Sequence, residues 1–195
     1  MISSLQELRG EEAIRRRTEM LGLPRIAPLS AYVTELREAG RGRVLNFDPL
    51  DGGIDARVLF LFETPSPKAA VTGFMSRDNP DPTARAVARY MAEAGLPRES
   101  TCLWTIVPWS DGSWAVSAAA MRAGLGALKG LLEVLQDVRA IVLVGRRMWR
   151  AERLLDDHAR PVFTSLHPSL IVQNRFPDKA ASIPLAWAQA RDFIG

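Results

Sequence analysis

Four short stretches of the chain are apolar or nearly so, and longer segments of mixed polarity separate them. VLFLF (58–62) follows Arg57 and ends in ETPSP; CLWTIV (102–107), IVLVG (141–145) and VFTSL (162–166) repeat the form. Runs of this length without strict polar alternation predict strands buried on both faces. Between them the apolar positions recur at helical spacing. Asp81-Pro82 offers an N-cap followed by proline in the first turn, predicting a helix to about Ala94 with Gly95 just past its end. A long helix is expected from Ser117 to Leu135, a basic one over RRMWRAERLL, and a last one from about Asp178 to Phe193. Ahead of the first strand, residues 3–22 read as an amphipathic helix with Leu5, Leu8, Ala13, Ile14, Met20 and Leu21 on one side. Ser30 reads as the cap of a second helix ending at Glu38, and GRGRVLNFDPLDGG as a loop.

Strands that alternate with helices imply a parallel sheet covered on both faces. The expected fold is therefore α/β: a three-layer α/β/α domain around a four-stranded parallel sheet. It spans residues 1–195, with residues 1–44 a helical N-terminal extension packed on it. Ligands of such sheets gather outside the carboxyl ends of the strands. ETPSP, PWSDG, GRR and HPS all fall at that edge, which places His167 in a convergent site.

Composition narrows the function classes. The chain is 47% apolar and 24% charged, as in an ordinary globular domain. No apolar run approaches the roughly 18 residues of a membrane helix, and MISSLQELRGEEAIRRR lacks the apolar core of a signal peptide. The lone Cys102 can form neither an internal disulfide nor a thiolate metal site; it reads as a core thiol in a reducing cytoplasm. No metal and no cofactor are expected: G-x-G-x-x-G and P-loop patterns are absent. The net charge of +3 is a mild lean toward polyanions, carried almost wholly by arginine, the lysines being Lys68, Lys129 and Lys179. Arg146, Arg150 and Arg153 share a helical face, with Arg147 beside it, and read either as a DNA-following stripe or as a solvated surface. The tryptophans read mostly as core, with Trp109 and Trp114 in a position to line a DNA side.

"RVLFLFETPSPKAAVTGF", "AEAGLPRESTCLWTIVPW", "AIVLVGRRMWRAERLL" and "TSLHPSL" occur in the order and spacing of the uracil-DNA glycosylase superfamily, which the chain resembles over roughly residues 45–193. The resemblance implies a monofunctional glycosylase that flips uracil or another deaminated base out of DNA and hydrolyses its N-glycosidic bond. It implies DNA as partner, a monomer, and a branch without an iron–sulfur cluster, because the cluster branches carry four cysteines and this chain has only Cys102. His167 resembles the family's leaving-group histidine, donating from a neutral imidazole. Phe74 falls where the family stacks an aromatic on the base. Pro65 and Ser66, and Pro168 and Ser169, would clamp the flanking phosphates, or would simply start a turn or helix.

The chain also departs from the pattern. Thr64 replaces the aspartate of the best-known branch, and Phe62 replaces a glycine. Glu63 matches the acidic position of another branch, and Asp78 is a second candidate for the water-activating carboxylate, while Asp81 is assigned to helix capping. Thr105 stands where the second strand offers asparagine, so Asn79 or Asn46 becomes a substitute base reader. Two other functions stay open: a uracil-DNA-binding protein that does not excise, and a small-molecule nucleoside or nucleotide hydrolase.

Overall fold

The computed structural model describes residues 7–40, 42–110, 116–155 and 160–195. Leu5 and Trp114 lie outside them, as does the side chain of Arg153. Helices α1 (Glu11–Glu19) and α2 (Ala27–Glu38) lead to the two-residue strands β1 (Arg43–Val44) and β2 (Asn46–Phe47). Then come β3 (Val58–Phe62), α3 (Pro67–Thr72), β4 (Phe74–Met75) and α4 (Pro82–Glu93). β5 (Thr101–Thr105), β6 (Trp109–Ser110), α5 (Ala118–Val134) and β7 (Ala140–Val144) follow. β8 (Val162–Ser165), α6 (Leu170–Arg175), α7 (Pro177–Ala180) and α8 (Ser182–Ile194) end the chain.

The central sheet is four-stranded and all parallel, in the order β5-β3-β7-β8. Every residue of β3, β5 and β7 is buried, as expected for strands covered on both faces. The period-two alternation of β3 divides two cores. Leu59 and Leu61 pack with α2 and α5, whereas Val58, Phe60 and Phe62 pack with α4 and α8. This is the expected three-layer architecture, and α2 belongs to one of its layers: the Tyr32 hydroxyl donates to the Ala127 carbonyl at 2.8 Å. Among the described residues no helix is long and apolar enough to cross a membrane.

Local expectations fare unevenly. Asp81 caps α4 through a 2.9 Å bond from the Ala84 N–H, and Gly95 takes φ +65° after its end. Ser30 is not the cap of α2. That helix begins three residues earlier, around Pro28, and the Ser30 hydroxyl donates to the Leu21 carbonyl. The basic helix is a 3-10 helix over Met148–Leu154, in which Met148 and Ala151, three apart, are both buried, the spacing that a three-residue turn superimposes. The last helix is divided at Ala181, with Pro177 and Pro184 each in a first turn, where a missing N–H costs nothing. The expected loop at 40–53 contains β1 and β2, which pair with β6 and β4 respectively.

A buried ionic cluster ties these outer elements together. Arg98 reaches Asp48 at 2.8 Å, Asp51 at 3.0 Å and Asp78 at 2.8 Å. Arg17 of α1 binds Asp48 and Asp78, and Arg77 lies 3.3 Å from Asp51. Burial works to raise the Asp48 carboxyl, but Arg98 and Arg17, with the Ser76 hydroxyl and the Leu50 N–H, hold it below the usual range. At Asp51 burial wins and pushes the carboxyl up to about 6, the nearby Arg77 notwithstanding. Removing one partner of such a cluster leaves uncompensated buried charge. Arg98→Ala is therefore expected to cost about 3 kcal/mol, the low end for a buried pair because its side chain keeps some solvent contact. Thermal unfolding should show it as a melting temperature lower by roughly 6–12 °C.

Candidate active site

β3, β5 and β8 run in the same direction, so the segments that follow them emerge along one edge. Between that edge and the start of α4 lies a cavity of about 240 Å³. Thr64, Pro65 and Ser66 reach it from the end of β3, and Leu103 of β5 contributes to its lining. Met75, Ser76, Asn79 and Asp81 form the wall between β4 and α4, and His167 closes the side after β8. The volume falls below the roughly 300–1,000 Å³ of pockets for drug-sized ligands and suits a single small ring.

His167 is held in place from the strand before it. The indole N–H of buried Trp187 donates to the Ser165 hydroxyl at 2.8 Å, and that of Trp149 to the Ser165 carbonyl at 3.1 Å. Gly145 ends β7 with φ +105°, and a Cβ there would sit 3.4 Å from that of His167. A side chain at this position would meet both a strained backbone and the histidine. The imidazole sits edge-on to the Phe62 ring, with centroids 5.9 Å apart. Burial pushes it below its ordinary pKa; the negative charge of Asp81 pulls the other way without reversing the shift. His167 is therefore a neutral donor or acceptor near pH 7.

Asp81 is the carboxylate that lines this cavity. One oxygen is occupied by the Ala84 N–H of the cap; the other lies 3.4 Å from the Ser66 hydroxyl. The capping assignment was correct and incomplete. Phe62, Met75, Ser76 and Thr83 also line the cavity without having been foreseen there. The legible sign was an acidic N-cap at the start of a helix that faces the ligand edge.

Other expected site residues lie elsewhere. Phe74 is 1% exposed and absent from the cavity wall; paired with Asn46 across β4 and β2, it belongs to the packed interior. The aromatic ring in the cavity wall is that of Phe62. Asp78 is taken by Arg17 and Arg98 in the ionic cluster, away from the cavity. Glu63 points to the surface side, 3.5 Å from Arg147, and does not line the cavity. Thr105 is buried at the end of β5 on the same face as Leu103, but outside the lining. Asn79 does line it, yet its amide accepts from the Thr72 hydroxyl at 2.6 Å and donates to the Phe74 carbonyl at 3.0 Å. Asn46 accepts from Arg37 at 3.0 Å. Ser66 and Ser169 cap α3 and α6 through the N–H groups of Ala69 and Val172, so the helix-start reading describes both serines. Pro168 is buried between His167 and that cap.

The cavity joins a neutral histidine, a carboxylate and a hydroxyl in a space of nucleobase size, at the edge where the four sequence landmarks converge. The family model of the uracil DNA glycosylase superfamily matches residues 49–191, which takes in β3 to β8 and most of α8. No curated protein matches the chain. On this match over most of its length, the chain belongs to the uracil-DNA glycosylase superfamily.

Proposed function

We propose that the protein is a monofunctional DNA glycosylase that hydrolyses the N-glycosidic bond of uracil or another deaminated base. The observation that carries this is the pairing of His167 with Asp81 in one cavity of about 240 Å³. The target nucleotide leaves the stack and its base enters the cavity. As the bond between C1′ and the base nitrogen breaks, its electron pair stays with the base. The neutral His167 donates a hydrogen bond to the oxygen where that charge collects. The sugar becomes cationic, and the Asp81 carboxylate stabilises it or takes the proton of the water whose oxygen bonds to C1′. Ser66 orients that carboxylate. Among the described residues no lysine lines the cavity to form a Schiff base, in keeping with hydrolysis by water.

An end-labelled single-stranded oligonucleotide with one uracil, treated with alkali after incubation, tests the reading. Strand scission at the uracil supports it; intact but retarded DNA favours a binding protein; DNA neither cut nor bound points first to another lesion, then to a nucleoside or nucleotide hydrolase. The binding reading draws on Glu63, whose carboxylate lies outside the cavity and against Arg147.

The shifted imidazole also dictates a pH profile. A histidine lowered from 6.5 is half protonated only below that pH, so the neutral, active form is lost with a midpoint on the acid side of 6.5. Single-turnover excision should thus fall on acidification with its midpoint below 6.5. A loss of rate with a midpoint above 6.5 would contradict a neutral donor.

A further inference from the structure

His167 borders a second cavity, of about 290 Å³, whose other walls are Arg146, Leu166, Val172, Phe176 and Lys179. These residues come from the segments after β7 and β8, from α6 and from α7, so the cavity opens along the same ligand edge. Among the described residues no acidic side chain lines it. Arg146 and Lys179 are both exposed, and neither has a carboxylate partner among the described residues. That sets them apart from Arg17, Arg77, Arg98 and Arg147, each of which has one. Phe176 is 48% exposed, with the Lys179 ammonium 5.1 Å from its ring centroid. Leu166 and Val172 make the rest of the wall apolar.

Two cations with no carboxylate partner among the described residues, a half-exposed aromatic ring and an apolar floor suit a flat ring carrying a phosphate. We propose that this cavity is a nucleotide subsite for the neighbour of the flipped residue in the same strand. Its phosphate lies between Arg146 and Lys179, and its base lies against Phe176. The shared histidine sets the two cavities side by side, as adjacent nucleotides of one strand require. This inference rests on the reading of the protein as one that binds DNA with a nucleotide in the first cavity.

The test is fluorescence anisotropy with the full chain and single-stranded oligonucleotides bearing a central tetrahydrofuran abasic residue, which cannot be excised. A neutral methylphosphonate replaces one flanking phosphate at a time. For the wild type, one position should weaken binding about tenfold, as expected for a charge-assisted contact. The double variant Arg146→Ala/Lys179→Ala should bind the unmodified oligonucleotide about tenfold more weakly and lose sensitivity at that position alone. Phe176→Leu should remove the preference for a base over an abasic residue at the same neighbour. Equal sensitivity in wild type and double variant would overturn the proposal. So would a free mononucleotide that protects the wild type but not the double variant against thermal unfolding while oligonucleotide binding is the same in both, since the site would then serve free nucleotides. The binding measurement needs no excision. A protein that shows the methylphosphonate pattern but cuts neither at uracil nor at another deaminated base would sink the glycosylase reading and leave the subsite standing; the reverse pattern would do the opposite.

Discussion

His167→Ala should lower the single-turnover rate of base excision by about 10²- to 10³-fold, the usual loss when one donor to a developing oxyanion is removed. Binding of the same DNA should change little, because the phosphate and stacking contacts remain. The size of the loss follows from the setting. The imidazole is largely shielded from water in a wall shared with Phe62, so a hydrogen bond to an anionic oxygen is worth more there than in solvent. Trp187 and Trp149 fix Ser165, two residues before the histidine, and so set where the chain leaves β8. Removing the support should therefore act through the histidine: Trp187→Phe keeps an aromatic ring and deletes the N–H, and a several-fold slower reaction with unchanged binding is the expected result. An alanine variant that excises at the wild-type rate would exclude His167 from the chemistry.

The strands of this fold were legible because burial on both faces leaves a mark that little else imitates. VLFLF matches β3 residue for residue, and the other three strands shift by one or two positions at their ends. Caps with explicit chemistry were legible too, as at Asp81 and Gly95. What failed depended on contacts distant in sequence. Ser30 has the right residue type for a cap, but Pro28 and the Leu21 carbonyl decide where α2 starts. Asp78 looks like a free acid in a turn until Arg17 and Arg98 converge on it from sites 61 and 20 residues away. Phe74 and Met75 are neighbours, and the alternation of a two-residue strand sends Met75 to the cavity and Phe74 to the interior. A register taken from family spacing cannot resolve a one-residue difference of that kind. Asp81 is the opposite case: a correct local explanation, the cap, concealed its place in the cavity wall.

The role proposed for Asp81 in the cavity yields the other large effect, because capping and the proposed chemistry can be separated by one substitution. Asparagine caps helices about as well as aspartate, so Asp81→Asn should keep the Ala84 N–H bond and leave the melting temperature nearly unchanged. It cannot take a proton from water, nor can it balance a cationic sugar. Excision should fall by about 10²- to 10⁴-fold, the range for a lost general base. The change does not work through His167: Asp81 pulls that pKa upward, so losing its charge leaves the imidazole further below its ordinary value and still neutral. Asp81→Ala should add a stability loss of about 1 kcal/mol for the missing cap, which separates the structural from the chemical contribution. Glu63→Gln provides the comparison, since it touches Arg147 and not the cavity, and should change the rate by no more than a few-fold. The opposite ranking, with Glu63→Gln inactive and Asp81→Asn active, would show that Glu63 leaves Arg147 and enters the cavity once DNA is bound. The acid of the first motif would then be the catalytic one, and Asp81 only the cap of α4.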